Sequence, residues 1–210
     1  MAYQHFHFDA GGRIITAGHT AAKRDIARKA VLATGAAGPL TVADVGCAEG
    51  AIGIAIAEEF PNACVTLING SMDERSEVER AIAGCAAATR CRISFASRWV
   101  QDLPPGTRFD VTLWFAVLHH ILDSAGSAKT LELVLRSTGR FAVVEVPVGD
   151  DALLGLWKEK HGPEPYEVLA TLASTLAWLG SKCQVLSSTR IDYGESSANL
   201  RRYAFVCRMP

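Results

Sequence analysis

The sequence predicts one α/β domain in which a mostly parallel, seven-stranded sheet lies between two layers of helices. Short apolar segments alternate with segments of helical periodicity, and this alternation is typical of a three-layer fold. Residues 109–115 are nearly all apolar, as a central strand covered on both faces should be. A length of 210 residues suits a single domain, with residues 40–210 as its core.

The N-terminal segment (residues 1–39) predicts a hairpin and a helix that precede this core. Residues 3–8 alternate between polar and apolar side chains, and the two glycines at 11–12 then supply a turn. Thr20 is a candidate N-cap for a helix that runs to about Ala33, just before a glycine-rich stretch.

Periodicity predicts the strands and helices of the core in order. Strands are predicted at residues 41–45, 64–68, 92–96, 109–115, 140–146, 182–191 and 200–208. Helices are predicted at residues 50–59, 72–88, 128–137, 153–160 and 166–179. The last two strands have only a turn-rich segment, residues 193–199, between them.

Charge and composition exclude several classes of protein. The formal net charge of −1 gives no long-range attraction to nucleic acid or to an anionic membrane surface. The sequence has no run of about 18 apolar residues that would predict a transmembrane helix, and its start lacks the order of a signal peptide. The six cysteines form neither a C-x-x-C pair nor a zinc-type cluster. We therefore expect a cytoplasmic protein with free thiols and no metal site.

The sharpest local pattern is the segment Asp-Val-Gly-Cys-Ala-Glu-Gly at residues 44–50, between a predicted strand and a predicted helix. Glycines there allow a tight turn and the close approach of a ligand, and the helix N-terminus offers free N–H groups to an anionic group. A dinucleotide-binding turn would need glycines at positions 48 and 51, where the chain has Ala48 and Ala51. The spacing thus disfavours a nicotinamide oxidoreductase, which is the first alternative function.

This segment resembles motif I of the class I S-adenosylmethionine-dependent methyltransferases, which have a Rossmann-like fold, with Ala48 in place of the middle glycine. Residues 109–120, a strand followed by an apolar stretch and two histidines, resemble a second landmark of that family. Residues 139–147 resemble its fifth strand, and the last two predicted strands resemble its terminal antiparallel pair. The resemblance covers about residues 40–208 and implies S-adenosylmethionine as the cofactor.

The N-terminal segment carries a second resemblance. Residues 3–6, Gly12, Gly18 and Arg24 are similar to the lead-in of methyltransferases related to the wobble-uridine carboxymethyl-transfer family and to bacterial enzymes that methylate polysaccharide ends. In those proteins the hairpin helps to cover the cofactor, so this resemblance implies the same role for residues 1–39.

The family resemblance implies a cofactor site at the carboxyl edge of the sheet. The second strand of the family usually ends in an acid that binds the ribose, whereas here it ends in the uncharged Asn69, so a weaker grip or help from Asp73 is implied. Trp99 either stacks on adenine or packs within the protein. The implied cofactor-binding residues are Asp44, Gly46, Cys47, Ala48, Gly50, Asn69, Trp99, Val100 and Phe115.

Methyl transfer needs alignment and exclusion of water, and it needs a base only where the acceptor atom must lose a proton. His120, after the fourth strand, and Glu145, late in the fifth, are the predicted catalytic residues. The alternatives are a histidine that only packs under the cofactor and a buried Glu145 linked to Arg140 or to a backbone amide. His119 is expected to be structural.

Cationic residues near the C-terminus are predicted to bind the acceptor, because arginine suits the bidentate binding of phosphate. Exposed arginines are also commonly solvated surface, and that alternative stays open. The predicted acceptor-binding residues are Arg190, Arg201, Arg202 and Tyr203.

The sequence therefore predicts an S-adenosylmethionine-dependent methyltransferase that acts on a small-molecule, phosphorylated or saccharide acceptor. Two further alternatives stay open. One is a methyltransferase-like binding protein without turnover, which Ala48 and Asn69 suggest. The other is an RNA-modifying methyltransferase, against which the low net charge argues. The sequence predicts no oligomeric state.

Overall fold

The computed structural model describes residues 4–71, 75–194 and 199–210, and it has the predicted three-layer α/β fold. Two short antiparallel strands, β1 (Phe6–Phe8) and β2 (Ile14–Thr16), form the predicted N-terminal hairpin. The strands of the main sheet are β3 (Leu40–Val45), β4 (Ala63–Ile68), β5 (Ile93–Ala96), β6 (Phe109–Trp114), β7 (Thr138–Pro147), β8 (Gln184–Ile191) and β9 (Arg202–Arg208).

The order of strands in the seven-stranded sheet is β5-β4-β3-β6-β7-β9-β8. The first five are parallel neighbours, whereas β9 runs antiparallel to both β7 and β8. This confirms the prediction of a mostly parallel sheet with an antiparallel last strand. The strand order reverses between β3 and β6, and in open α/β sheets ligands bind outside the carboxyl ends of the strands at that point.

Helices cover both faces of the sheet. One face carries α1 (Gly18–Ala33), α2 (Ala51–Glu59), α3 (Arg75–Gly84) and α4 (Ala87–Arg90), and the other carries α5 (Leu118–Ser137), α6 (Ala152–His161) and α7 (Leu172–Gly180). Because successive strand residues point to opposite faces, Val42 and Val143 lie in the core beside α1 and α2, whereas Ala43 and Val144 lie in the core beside α5. Both faces of the central strands are thus buried.

Four helical segments differ from the sequence prediction. Helix α1 begins at Gly18, so Thr20, predicted as its N-cap, lies inside the helix, where its hydroxyl oxygen accepts the N–H of His5. Helix α5 begins at Leu118, well before the predicted residue 128. Gly126, with φ 75° and ψ 166°, divides it into two helical segments, and the prediction covers only the second. The predicted helix 166–179 is a 3-10 helix over Glu164–Leu169 followed by α7, whose N-cap Thr171 accepts a hydrogen bond from the Ser174 N–H. The predicted helix 72–88 is the pair α3 and α4.

Parts of two predictions fall outside the described residues. These are the start of the predicted helix 72–88, which includes Asp73 and its suggested contact with the ribose, and most of the turn at 193–199. Within the described ranges, no helix is both long enough and apolar enough to cross a membrane.

Candidate active site

The chain turns sharply between β3 and α2. Gly46, Ala48 and Gly50 have φ angles of 65°, 47° and 84°, which is the left-handed region that favours glycine. A Cβ atom at Gly46 would lie 2.7 Å from Cγ2 of Val117, in the loop after β6. Only glycine therefore fits position 46 without moving the neighbouring loop.

The side chain of Asp44 stabilises this turn by bonding to α2. Its side chain is buried, and its Oδ2 atom accepts a hydrogen bond from the backbone N–H of Gly53 in α2 at 2.9 Å. Burial raises the pKa of Asp44 to about 7, although the Gly53 bond and the charge of Lys23 act in the opposite direction. Asp44 thus ties α2 to the glycine turn, and its charge is costly to desolvate.

We expect Asp44→Asn to stabilise the protein at pH 8 and to change its stability little near pH 4. The folded-state pKa of about 7 lies above the ordinary value of 3.8, so the folded protein loses stability as the pH rises from about 4 to 7. Asparagine has no charge to desolvate and can still accept the Gly53 bond. The gain at pH 8 is up to ~4 kcal/mol, measured by urea unfolding. The same change in stability at both pH values would contradict this explanation.

The N-terminal segment packs on the outside of the glycine turn. The buried side chain of Gln4 donates from Nε2 to the Cys47 carbonyl at 3.2 Å, and its Oε1 atom accepts the N–H of Ala51 at 2.7 Å. The Gln4 side chain therefore links the residues just before β1 to both ends of the glycine turn.

A cavity of about 650 Å³ opens at the carboxyl edge of the sheet, beside this turn. Asp44, Cys47 and Gly50 are buried and support the turn without being among the described residues that line the cavity. The other predicted cofactor residues all line the cavity, and we call the part that they border its near half: Gly46, Ala48, Asn69, Trp99, Val100 and Phe115.

Backbone strain is concentrated at this cavity. Among the described residues, the non-glycine residues with positive φ are Ala48 at 47° and Ala116 at 54°, and both line the cavity. Such conformations cost about 1–3 kcal/mol each and are found mainly at functional sites, where the surrounding structure enforces them. The strain therefore marks the cavity as a candidate ligand site.

The end of β4 and the loop after β5 form one wall of the near half. Oδ1 of Asn69 accepts the backbone N–H of Ser71 at 2.9 Å, which fixes the side chain in a tight turn. The indole of Trp99 packs directly over Gly70, because a Cβ atom there would lie 2.2 Å from Cδ2 of the ring. Trp99 is 55% exposed, so part of its ring is available to a ligand.

Four further lining residues, His119, His120, Trp157 and Arg202, lie against one another, and we call the part of the cavity that they border its far half. The His119 imidazole stacks on the Trp157 indole, with ring centroids 3.8 Å apart, and His120 lies 4.2 Å from His119. Burial lowers the pKa of both histidines, and the charge of Arg202 lowers each further. Both imidazoles are therefore neutral at pH 7, and a neutral imidazole can accept a proton.

Comparison with known proteins identifies the family. Residues 38–177, more than half of the chain, match the sequence profile of a family described as methyltransferase domain. The chain belongs to this methyltransferase family. A search of the curated proteins found no match. The family assignment confirms the class I S-adenosylmethionine-dependent methyltransferase indicated by the sequence, and with it the prediction of an enzyme.

Solved structures with a similar fold include two with bound S-adenosylhomocysteine (SAH). Magnesium protoporphyrin IX methyltransferase from Synechocystis PCC 6803, with bound SAH, has a TM-score of 0.67 at 16% identity over 92% of this chain and 84% of its own. The N-methyltransferase NodS from Bradyrhizobium japonicum WM9, in complex with S-adenosyl-L-homocysteine, has a TM-score of 0.66 at 14% identity over 91% and 88%.

A third similar structure is a SAM-dependent methyltransferase from Methanosarcina mazei, with a TM-score of 0.62 at 13% identity over 85% of this chain and 96% of its own. At such low identity these likenesses show the fold. They agree with the Rossmann-like architecture predicted from the sequence.

The two predicted bases of the methyltransferase lie in different environments. His120 lines the far half of the cavity, whereas Glu145 is fully buried in β7. Oε2 of Glu145 lies 2.8 Å from Nζ of Lys23, and its Oε1 accepts a hydrogen bond from the hydroxyl of Tyr193. The partner of Glu145 is thus a lysine of α1, and neither Arg140 nor a backbone amide takes that place among the described contacts.

Of the four predicted acceptor residues of the methyltransferase, Arg202 is the one that lines the cavity. Arg201 is exposed and pairs with Asp150 at 2.6 Å, and Arg190 is exposed on β8. Tyr203 packs beside Phe205 against the core on the α5 side, with ring centroids 6.4 Å apart. The structure therefore brings Arg202 together with His120 and leaves the other three outside the cavity lining.

Sequence reasoning missed several residues of the site, namely Gln4, Lys23, Arg98, Asp151 and Trp157. Only Asp151 has a clear signal, because an aspartate just before an apolar helical run is a typical N-cap. Its side chain does cap α6, accepting from the N–H groups of Leu153 and Leu154. The others reach the site through contacts distant in sequence.

Proposed function

We propose that this methyltransferase binds S-adenosylmethionine in the near half of the cavity and transfers its methyl group to a small molecule in the far half. One observation carries the proposal: a single cavity of about 650 Å³ joins the strained glycine turn to His120, Trp157 and Arg202. Its volume lies within the range of roughly 300–1,000 Å³ that is typical of small-molecule sites.

The residues of the near half fit this cofactor. Gly46 and Ala48 line the cavity at the turn, and with no side chain at position 46 the methionine end of the cofactor can approach the backbone closely. The Asn69 amide suits a ribose hydroxyl, and the exposed ring of Trp99 suits adenine. When bound, S-adenosylmethionine supplies a methyl group activated by its sulfonium.

The protein contributes alignment, exclusion of water and, where the acceptor atom carries a proton, a base. Alignment alone supplies about 7–11 kcal/mol of rate acceleration. We assign the base to His120 rather than to Glu145, because His120 lines the cavity in its neutral form, whereas Glu145 is enclosed with Lys23 and Tyr193. An anionic acceptor needs no base, and His120 would then only pack beside it.

The acceptor class is a small molecule, with phosphorylated compounds and saccharides included, rather than RNA. The net charge of −1 supports this choice, because binding to a nucleic acid backbone depends on clustered cations. Arg98 and Arg202 are cations that line the cavity itself. A cytoplasmic location is part of the proposal, and the six free thiols support it.

Calorimetric titration with S-adenosylhomocysteine and with NAD tests the cofactor assignment. We expect S-adenosylhomocysteine to bind and NAD not to bind; the opposite result would refute the proposal. Transfer of labelled methyl groups to a panel of acceptors then tests turnover. Binding without transfer to any member of a panel that includes phosphates, carboxylates, saccharides and RNA would instead favour the non-catalytic alternative.

Asn69→Asp is expected to keep or strengthen the binding of S-adenosylhomocysteine. An aspartate can still accept the Ser71 N–H, and its charge strengthens bonds from ribose hydroxyls by about 1–2 kcal/mol, or roughly five- to thirtyfold in affinity. Gln184→Glu, which adds the same charge at an exposed position of β8, serves as the control and should leave affinity unchanged. A tenfold loss with Asn69→Asp alone would mean that Asn69 has another role.

A further inference from the structure

We infer that the far half of the cavity contains a binding site for the carboxylate or phosphate group of an apolar small molecule, and that Arg202 binds this anion. The inference rests on the proposed function in that S-adenosylmethionine takes the near half and leaves the far half to the acceptor. It goes further by naming the chemical group by which the acceptor is recognised.

Arg202 is a buried cation whose side chain is only 4% exposed, yet it forms part of the cavity wall. Its Nε atom donates to Oδ2 of Asp151 at 3.2 Å, and its guanidinium lies 5.8 Å from the centre of the Trp157 ring. Within the described part of the chain, no hydrogen bond uses its two terminal nitrogens. These two nitrogens suit a carboxylate or phosphate, which accepts two parallel N–H bonds from a guanidinium.

Asp151 holds the guanidinium of Arg202 in place through the bond from its Nε–H. Oδ1 of Asp151 accepts the N–H groups of Leu153 and Leu154, and Oδ2 accepts the N–H of Arg201 and the Nε–H of Arg202. These four bonds occupy both oxygens of a fully buried carboxylate. The same side chain thereby fixes the start of α6, which carries Trp157, and the orientation of the guanidinium.

The charges around the far half favour an anion. Among the described residues that line the cavity there is no aspartate or glutamate; Arg202 is the cation of the far half, with its Nε–H paired to Asp151, and Arg98 lies beside Trp99 in the near half. His119 and His120 are neutral at pH 7 and add no charge of either sign. The bound cofactor brings a positive sulfonium, so an anionic group is the complement of this surface.

Apart from Ser124, the described residues that line the cavity beside Arg202 and the two histidines are apolar. Ile121, Leu153 and the ring of Trp157 line it, and Leu153 is 36% exposed at its rim. A ligand body that covers these side chains gains from the burial of apolar surface. The Arg202 guanidinium and the apolar side chains together favour a ligand with an apolar body and one carboxylate or phosphate group. They disfavour a small, fully hydrated anion.

Binding of model compounds tests the inference before the true acceptor is known. Benzoate, phenyl phosphate and the uncharged benzyl alcohol are titrated into the full-length protein by ligand-observed NMR, with and without saturating S-adenosylhomocysteine. We expect at least one anion to bind ten times more tightly than benzyl alcohol, and the tighter anion indicates whether the group is a carboxylate or a phosphate. Equal binding of all three compounds would overturn the inference.

Variants locate the site. Arg202→Met should weaken binding of the preferred anion at least tenfold and leave S-adenosylhomocysteine affinity within twofold. Arg201→Met, which removes the neighbouring arginine with its own aspartate partner, is the matched control and should have no effect. Equal losses with both variants would contradict a specific role for Arg202.

A further variant covers the case in which Arg202→Met does not fold, because that change leaves Asp151 buried without its cation. The double variant Asp151→Asn/Arg202→Met removes both charges and keeps a residue that can cap α6. It should also bind the anion at least tenfold more weakly, and retention of full anion affinity would overturn the inference.

Failure of the proposed function can be distinguished from failure of this inference. If S-adenosylhomocysteine does not bind the unaltered protein, the proposed function fails, while the titrations without S-adenosylhomocysteine still decide the role of Arg202.

Discussion

Replacement of Gly46 by valine is expected to lower the affinity for S-adenosylhomocysteine at least a hundredfold. Gly46 has φ 65°, and a Cβ atom there would lie 2.7 Å from Cγ2 and 2.9 Å from Cβ of Val117. Both residues line the cavity, so a branched side chain displaces the wall against which the cofactor binds. Calorimetric titration measures the loss, and circular dichroism establishes that the variant is folded.

Gly35→Val is the matched control for this experiment. Gly35 has a similar φ of 61°, but a Cβ atom there meets nothing within 4 Å, and the residue lies after α1, away from the cavity. The backbone strain of about 1–2 kcal/mol is thus the same in both variants, and the contact with Val117 is absent from the control. Normal binding by Gly46→Val would show that the glycine turn has only a structural role.

Glu145→Ala is expected to destabilise the protein by about 3–5 kcal/mol, because it leaves the ammonium of Lys23 buried without its carboxylate. Lys23 is 2% exposed and Glu145 is 0% exposed, and their charged atoms lie 2.8 Å apart. Burial lowers the pKa of Lys23, and Glu145 opposes that shift. Urea unfolding at pH 7 measures the change in the free energy of unfolding.

The pair Arg75–Glu79 provides a control with the same separation of 2.8 Å, but both side chains are about half exposed. Glu79→Ala should cost less than about 1 kcal/mol, as solvent screens an exposed pair. Similar losses for the two alanine variants would refute a special role for the buried pair.

A double variant separates the structural role of Glu145 from the predicted catalytic one. Lys23→Met/Glu145→Gln removes both buried charges and leaves an oxygen that can accept the Tyr193 hydroxyl bond. It should recover most of the lost stability. If it also turns over any acceptor at near the normal rate, Glu145 is not the base; a folded variant with a large fall in kcat would restore that assignment.

The sequence was most informative where local pattern decides structure. The apolar strand at 109–115 and the glycine turn at 44–50 were both recognisable, because burial on two faces and left-handed backbone angles each restrict the residue types allowed. The arginine pair at the start of β9 illustrates the limit of such patterns. Neighbouring residues Arg201 and Arg202 are alike in sequence, and only the packed structure shows which one enters the cavity.

The α/β fold and the position of the glycine turn were determined by the sequence itself, since they follow from periodicity and from spacing along a short segment, and the methyltransferase family was indicated by the resemblance of residues 44–50, 109–120 and 139–147 to its landmarks. The partners of the charged groups were decided by tertiary structure. Lys23 reaches Glu145 only because α1 packs across the sheet, and Asp151 meets Arg202 only because β9 lies beside β7. Those contacts join residues far apart in the chain. A buried charge needs an oppositely charged partner because burying it alone is costly, and no local sequence pattern shows which residue that partner is.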